Sequence, residues 1–336
     1  MPARAILAAL LVATVAAGCG SGGNDSNPDA RGATVAASIK GLDNPFFATM
    51  RDGLVAGARE HKTILRVEAA ANLDDTTGQA SQLESLAADR AECYVVNPIS
   101  ATNVIEPLAH IPSGAPVVNI DNALDRDAAK AVGVRVHTYI GTDNVAAGRL
   151  AADAIAGLVG DGAPVALIIG VPGDAPSEGR ARGFAEAARG HFRIVERVAA
   201  DYDRGRATRA AEALLRAHPN LAGVFAVNDQ MALGAADAVR ATGRARDIAV
   251  VGLDGTRAAL AAVRKGQMSA TVAQYPFAIG QLGVEACVAI VRGKQVPARI
   301  DAPVQVVTRD NVARAEANFP QPVDPFQDPL AALLND

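Results

Sequence analysis

The stretch TVAASIKGLDNPFFATMRDGLVAGAREH, residues 34–61, decides the fold class. Its first six residues, 34–39, are a short apolar run that predicts a buried β-strand. From residue 45 to residue 61, the apolar side chains recur at spacings of three and four, and Pro45 stands where a helix would begin. The stretch therefore predicts a strand followed by an amphipathic helix, with polar residues in the turn between them.

The same alternation continues along the chain. Ten further strand-like runs lie at 64–69, 93–97, 117–121, 139–142, 165–170, 194–199, 223–228, 248–254, 269–274 and 304–307. Repeated strand and helix units predict an α/β fold with doubly wound parallel sheets covered by helices on both faces. Roughly 300 residues follow the first 32, which by ordinary domain sizes favours two lobes with separate cores.

The N-terminus predicts export. Residues 1–18 are typical of a secretory signal peptide, because Arg4 precedes an apolar run at 5–17 and small residues lead into Cys19. The run is shorter than the roughly 20 apolar residues of a membrane span. After cleavage, Cys19 would resemble the lipid-attachment cysteine of bacterial lipoproteins, although Ala16 stands where those proteins prefer leucine. A secreted protein with an incidental cysteine is the alternative.

Residues 19–32 are rich in Gly, Ser, Asn and Asp and predict a flexible tether. We therefore expect an extracytoplasmic protein, in the periplasm or at the cell surface, anchored to the membrane by lipid.

Composition excludes several classes of function. The net charge is -4 and 20% of residues are charged, without a basic stripe that would indicate nucleic-acid binding. The five histidines show no metal-ligand spacing, and the chain lacks a Gly-x-Ser-x-Gly elbow and a Walker loop. We expect no metal, no cofactor and no catalysis. Cys287 lies with Val284, Val288 and Val291 on the apolar face of a predicted helix, which favours a buried free thiol. A disulfide between Cys93 and Cys287 is the alternative, but sequence alone does not show that the two thiols lie within bridging distance.

Polar residues end many of the predicted strands. They are Ser38, Lys40, Asn97, Asp121, Asn122, Asp143, Asn144, Asn228, Asp229, Asp254 and Gln274. Ligands of open parallel sheets bind outside the carboxyl ends of the strands. Carboxylates and amides there, with aromatic rings beside them, suit a neutral ligand that presents several hydroxyl groups. The alternative for any one of these residues is an ordinary helix cap or turn.

An ordered set of motifs carries a resemblance. In chain order the motifs are DNPFF (43–47), NIDN (119–122), GTDN (141–144), RARGF (180–184), DYDR (201–204), FAVNDQMALG (225–234), VGLDGT (251–256) and AQ (273–274). Their order and content resemble the periplasmic ribose-binding proteins and related solute-binding proteins of bacterial sugar ABC importers. The resemblance covers residues 33–310.

The resemblance implies two similar lobes joined by three crossing segments. The first lobe would comprise 33–141 and 275–303, the second 142–274 and 304–312, and 313–336 would form a tail. The stretch 318–336, rich in Pro and Asp, is expected to pack loosely or not at all. Crossings are expected near 141–144, 274–276 and 302–304.

The resemblance also implies a ligand-binding set, carried over position by position. The set is Lys40, Asn44, Phe46, Phe47, Asp121, Asn122, Arg180, Tyr202, Asn228, Asp254 and Gln274. Three positions depart from the ribose pattern: Lys40 replaces a serine, Asn122 an arginine, and Leu253 an aromatic residue. These changes favour a shorter or acyclic polyol, or a different monosaccharide, over ribose.

The implied function is capture of a monosaccharide or polyol and its delivery to an ABC permease with its ATPase, by a monomer. A ligand-presenting role for a membrane sensor is the alternative. The lactose-repressor family shares the two-lobed core but carries an N-terminal DNA-binding motif, where this chain has a signal peptide. A glycoside-acting enzyme using Asp121 and Asp254 is the least favoured alternative, because both carboxylates serve a binder equally well.

Overall fold

The computed structural model describes residues 33–334. The predicted signal peptide (1–18), Cys19 and the predicted tether (19–32) lie outside the described residues. The described part forms two six-stranded sheets with helices between most successive strands. This confirms the α/β class and the doubly wound sheets that the alternating pattern predicts.

The strands follow the chain in order. Their bounds are β1 (Thr34–Ile39), β2 (Ile64–Ala69), β3 (Cys93–Val96), β4 (Val117–Ile120), β5 (Val136–Gly141), β6 (Ala163–Ile169), β7 (Phe192–Ala199), β8 (Gly223–Ala226), β9 (Ala249–Asp254), β10 (Ala270–Gln274), β11 (Arg299–Asp301) and β12 (Val304–Thr308).

The helices alternate with these strands. Their bounds are α1 (Pro45–Glu60), α2 (Thr76–Ala88), α3 (Ile105–Leu108), α4 (Arg126–Ala131), α5 (Asn144–Ala156), α6 (Ala175–Ala187), α7 (Arg204–Ala217), α8 (Asp229–Ala241), α9 (Arg257–Arg264), α10 (Pro276–Val291), α11 (Val312–Asn318) and α12 (Ala331–Leu334). Within residues 33–334, none of these helices has the length and apolar character needed to cross a bilayer.

The first sheet has the order β11-β5-β4-β3-β1-β2 and the second β12-β10-β9-β8-β6-β7. Pairings are parallel except for β12, which runs antiparallel to β10 at the edge of the second sheet. Every residue of the central strands β3 and β8 is buried, which explains their unbroken apolar runs. The sequence did not predict β11, because its three residues, Arg-Ile-Asp, are mostly polar.

The chain passes between the two sheets at three places. It leaves β5 of the first sheet for α5, leaves β10 of the second sheet for α10, and leaves β11 of the first sheet for β12 of the second. The side chains that follow β1, β4, β9 and β10 therefore belong to loops near these passages.

Helices α5 and α6 pack closely because of two glycines. A Cβ atom on Gly148 would overlap the carbonyl oxygen of Arg180, and one on Gly183 would overlap that of Val145. Each contact brings helix backbone against helix backbone. This packing fixes the height of α6, and with it the position of the Arg180 side chain.

The two remaining cysteines are not free thiols. Cys93 on β3 and Cys287 on α10 form a disulfide, with Cα atoms 5.7 Å apart and a sequence separation of 194. The expectation of unpaired thiols was wrong. Both residues are fully buried in the core of the first sheet, so the apolar pattern around Cys287 was correctly identified but did not reveal its partner.

The C-terminal segment is also ordered, against expectation. The Val323 N–H donates to Oε1 of Gln305 at 2.9 Å, and Val323 packs into the core of the second sheet. Leu330 is fully buried in the core of the first sheet. The prediction of a loosely packed tail was wrong for residues up to 334, because Val323 and Leu330 are buried. The surrounding prolines and aspartates hide this apolar signal in the sequence.

Candidate functional site

Lys40 and Asp121 form the polar part of the site at the first sheet. Lys40 follows β1 and Asp121 follows β4, where its backbone has a φ of 60°. Lys40 Nζ lies 4.0 Å from Asp121 Oδ2 and 5.3 Å from the centre of the Phe47 ring. The ammonium group is therefore held between a carboxylate and an aromatic face.

The start of α1 supplies the aromatic wall. Asn44 caps this helix, its Oδ1 accepting from the Phe46 N–H at 3.0 Å, and Pro45 begins the first turn. Phe46 and Phe47 are buried and meet edge to face, with ring centres 5.2 Å apart. Since Asn44 Oδ1 is used by the cap, its amide Nδ2 is the group left to meet a ligand.

Arg180 is the principal cation at the second sheet. Its Nε donates to Asn144 Oδ1 at 2.8 Å, and its Nη1 donates to the Val227 carbonyl oxygen at 2.7 Å. Nη1 also lies 3.4 Å from Asp254 Oδ1, and the residue is 6% exposed. These contacts hold the guanidinium in one orientation before any ligand arrives.

Asp254 ends β9 with a φ of 139°, a value that only a constrained backbone retains in a residue other than glycine. Gln274 Nε2 donates to its Oδ1 at 2.8 Å, so Gln274 and Arg180 share one carboxylate oxygen. Burial raises the pKa of Asp254 to about 8, although Arg180 and Gln274 act to lower it. Oδ2 has no side-chain partner in the described part of the chain.

Asp229 supports this carboxylate from behind. Its Oδ2 accepts from the backbone N–H and the hydroxyl of Thr256 at 2.7 and 3.0 Å, and its Oδ1 accepts from the Thr271 hydroxyl at 2.7 Å. Burial raises the pKa of Asp229, while Thr271 and then Thr256 oppose the shift. Asp229 thus fixes the loop that follows Asp254.

The two polar sets share one electrostatic environment. Burial raises the pKa of Asp121, and the largest opposing influences are the charges of Lys40 and then Arg180. Arg180 belongs to the second sheet and Asp121 to the first. The structure therefore brings residues from both sheets to a common cleft.

Tyr202 is predicted to form another wall of the site, and the structure fixes its side chain firmly. Its ring covers the backbone of Gly170, where a Cβ atom would overlap it, and its hydroxyl donates to Asp174 Oδ2. Burial and the neighbouring Asp174 charge raise the pKa of Tyr202 well above its usual range. The ring is therefore a neutral, fixed surface.

Two predicted ligand residues are partly engaged by the fold. Asn122 Nδ2 donates to the carbonyl oxygens of Pro98 and Ile99 at 3.2 and 3.1 Å. Asn228 Oδ1 accepts from the Met231 N–H at 3.0 Å and caps α8. The capping alternative thus applies to Asn228 and Asn44, and each asparagine keeps only half of its amide for a ligand.

Several buried polar atoms at strand ends have no hydrogen-bond partner among residues 33–334. They are Ser38 Oγ, Asn97 Oδ1, Thr142 Oγ1 and Gln274 Oε1. Buried polar groups without partners are rare unless water or a ligand satisfies them. A cavity of about 470 Å³ is lined by Phe46, Asp254 and Gln274 of the predicted set, and also by Phe319 and Val323 of the C-terminal segment. Lys40, Asp121 and Arg180 are not among its lining residues, so this cavity borders only part of the predicted site.

Sequence reasoning left Asn144, Asp174 and Asp229 out of the binding set. All three act on other side chains: Asn144 on Arg180, Asp174 on Tyr202, and Asp229 on the loop after Asp254. In the sequence, these residues stand just after a predicted strand or at the start of a predicted helix. That position does not distinguish a residue that contacts the ligand from one that holds another side chain in place.

The sequence of this chain is similar to those of known proteins over most of its length. The periplasmic binding protein domain family matches residues 35–295. The ribose import binding protein of Bacillus subtilis is 35% identical over 82% of this chain and 87% of its own length. The D-allose-binding periplasmic protein of Escherichia coli is 34% identical over 79% of this chain and 87% of its own.

A solved structure agrees with these relatives. An ABC transporter periplasmic solute-binding protein from Actinobacillus succinogenes with bound D-allose is 29% identical and superimposes with a TM-score of 0.79, covering 84% of this chain and 99% of that one. The resemblance that the ordered motifs carry is confirmed in fold and in sequence. The chain belongs to the periplasmic binding protein family, in its ribose-binding group.

Proposed function

We propose that this chain is the extracytoplasmic solute-binding protein of an ABC importer and captures a monosaccharide or polyol in the cleft. The observation that carries the proposal is the pair of opposed polar sets, Lys40 with Asp121 and Arg180 with Asp254, beside fixed aromatic rings. A ligand hydroxyl both donates and accepts, so one hydroxyl can bridge a carboxylate and a cation. Relatives with ribose and allose in their names support this class of ligand.

The departures from the ribose pattern favour a ligand other than ribose. Lys40 places an ammonium group at Asp121, and Asn122 turns its amide protons to backbone carbonyls. Leu253 is fully buried in the core of the second sheet and offers the ligand no ring. A ligand with an additional hydroxyl near Lys40, such as a hexose or a cyclic polyol, fits this arrangement better than a pentose.

Two lobes, 33–141 with 275–303 and 142–274 with 304–312, would close on the ligand. Asp121 lies in the first and Arg180 and Asp254 in the second, so one ligand reaches all three only when the lobes approach. Binding would shift the population toward the closed form by differential contact, with no chemical step. The closed monomer would then dock on a permease and its ATPase.

The binding test is a thermal-shift screen of pentoses, hexoses and polyols that includes D-ribose and D-allose, followed by calorimetry on every ligand that raises the melting temperature. Asp254→Asn should weaken binding, whereas the exposed Asp161→Asn should bind as the unaltered chain does. Absence of any stabilising sugar or polyol would refute the proposal, and chemical conversion of the bound ligand would refute a pure binder.

Export and lipid anchoring form a separate part of the proposal and rest on Cys19. Two or more acyl chains anchor a protein stably. The unaltered chain should partition into the detergent phase, and Cys19→Ala should move it to the aqueous phase. An N-terminus beyond residue 19, found by mass spectrometry, would exclude the lipoprotein.

A further inference from the structure

A second cluster of polar side chains lies at the opposite end of α1 from the cleft. Glu60 is the last residue of this helix and His61 caps its C-terminus, while Glu285 faces them from α10. Each of the three offers one donor atom, and all of these atoms lie within 4.8 Å of one another. An imidazole and two carboxylates are thus gathered from two helices.

The imidazole has an unused nitrogen. His61 Nε2 is buried and has no hydrogen-bond partner in the described part of the chain. Glu285 Oε1 lies 3.7 Å away, beyond hydrogen-bond distance, and the two side chains are only 15% and 6% exposed. A buried nitrogen without a proton donor or acceptor beside it is costly unless another group binds there.

The cluster is rich in negative charge. Glu60 and Glu285 each contribute a carboxyl group, and Asp328 supplies a third that lines the same cavity as Glu285. Asp328 comes from the C-terminal segment, and its Oδ1 accepts from the Leu330 N–H at 2.8 Å. A cation at this point would neutralise carboxylates that otherwise repel one another at low dielectric.

The chemistry of the donors selects the cation. Zinc binds imidazole nitrogen and carboxylate oxygen at about 2.0 to 2.2 Å in tetrahedral geometry, which separates donor atoms by roughly 3.3 Å. The 3.7 Å between His61 Nε2 and Glu285 Oε1 needs only a small side-chain rotation to reach that value. A cavity of about 380 Å³ is lined by Glu285 and Asp328 and leads to one side of the cluster.

We propose that Glu60, His61 and Glu285 bind a divalent transition-metal ion of the zinc class, with Asp328 or water as the fourth ligand. The ion would join α1 to α10 and the C-terminal segment. These two helices already touch along their backbones, because a Cβ on Gly53 would overlap the Phe277 carbonyl oxygen. The histidine spacing along the chain does not reveal the site, because its ligands come from two helices.

The test is a calorimetric titration of the purified chain, without a histidine tag, with Zn²⁺, and a parallel titration with Co²⁺ followed by visible absorption. We expect one ion per chain and a zinc-dependent rise in melting temperature. His61→Ala and the isosteric Glu285→Gln should each weaken Zn²⁺ binding at least tenfold, since residues that merely orient a ligand typically contribute about 10- to 100-fold.

His191→Ala is the matched control, because this histidine is exposed and lies in the second sheet's half of the chain. Its Zn²⁺ affinity should stay within about twofold of the unaltered chain. Lack of saturable one-to-one binding would overturn the proposal, as would equal affinity in Glu285→Gln and the unaltered chain. If His61→Ala does not fold, Glu285→Gln decides alone. No sugar enters the experiment, so its result is independent of the proposed transport function.

Discussion

Two buried aspartates of the second sheet should give opposite results when each is changed to asparagine. Asp254 shares Oδ1 between Arg180 and Gln274 and keeps Oδ2 without a side-chain partner, which leaves an acceptor for the ligand. Asp229 uses both oxygens on Thr256 and Thr271. Asp254→Asn should therefore mainly reduce ligand affinity, and Asp229→Asn should mainly reduce stability.

The expected magnitudes follow from the contacts. Leaving a buried hydrogen-bonding group without its partner costs about 1 to 3 kcal/mol. For Asp254→Asn this corresponds to a loss of affinity of roughly 5- to 150-fold, at 1.4 kcal/mol per factor of ten. For Asp229→Asn the same free energy lowers the melting temperature by roughly 2 to 5 °C, at about 2.1 cal/mol/K per residue.

The assay is calorimetry with the strongest ligand from the screen, combined with thermal unfolding of the ligand-free variants. Asp229→Asn should keep its affinity within about threefold, because its lost bonds face threonines and not the cleft. Binding by Asp254→Asn as tight as that of the unaltered chain would refute the ligand contact of Asp254. A loss of affinity in Asp229→Asn without a loss of stability would refute the supporting role of Asp229.

Three further outcomes are expected. The pKa of Asp254 is about 8 in the folded chain and 3.8 in the unfolded chain. Between these two pH values, unfolding therefore releases a proton from this carboxyl group. The contribution of Asp254 to stability consequently falls as pH rises. The stability difference between the unaltered chain and Asp254→Asn should decrease from about pH 4 to pH 8, and a difference that grows over this range in thermal unfolding would contradict the assignment. Replacing Cys93 and Cys287 together by alanine removes a cross-link that closes a loop with a sequence separation of 194. The free energy of unfolding, measured by denaturant titration, should fall by up to about 5 kcal/mol. An unchanged denaturation midpoint would argue against the disulfide. Small-angle scattering should show a smaller radius of gyration on saturation with ligand, and an unchanged radius would exclude closure.

Much of the fold could be predicted because buried parallel strands carry continuous apolar runs. The predicted start of the first strand and the start of α1 at Pro45 match the structure, since strand burial and proline placement are local properties. The Cys93–Cys287 bridge could not be predicted, because its two halves are separated by 194 residues and only the packing of α10 on the first sheet brings them together. The short strand β11 could not be predicted, because it contains a single apolar residue, Ile300.

The site was predicted only in part for a related reason. Arg180 and Asp254 are recognisable from their motifs, but their orientation depends on Asn144 and Gln274, which only folding brings close. Asn228 shows the opposite outcome. Its position at the end of a strand predicts ligand contact, but its side-chain oxygen caps helix α8. Residue type and position thus predict where polar groups gather, while the division between contact and support depends on tertiary geometry.

The C-terminal segment forms a fourth link between the two halves of the molecule. Val323 is fixed to the second sheet through Gln305, and Leu330 is buried in the first. Seven residue steps at 3.3 to 3.6 Å reach at most roughly 25 Å. If the two halves separate further than the segment between Val323 and Leu330 can span, Leu330 must first leave its buried position, at a cost of about 1.5 to 3 kcal/mol. The segment would thus act as a mechanical stop that limits how wide the empty cleft opens.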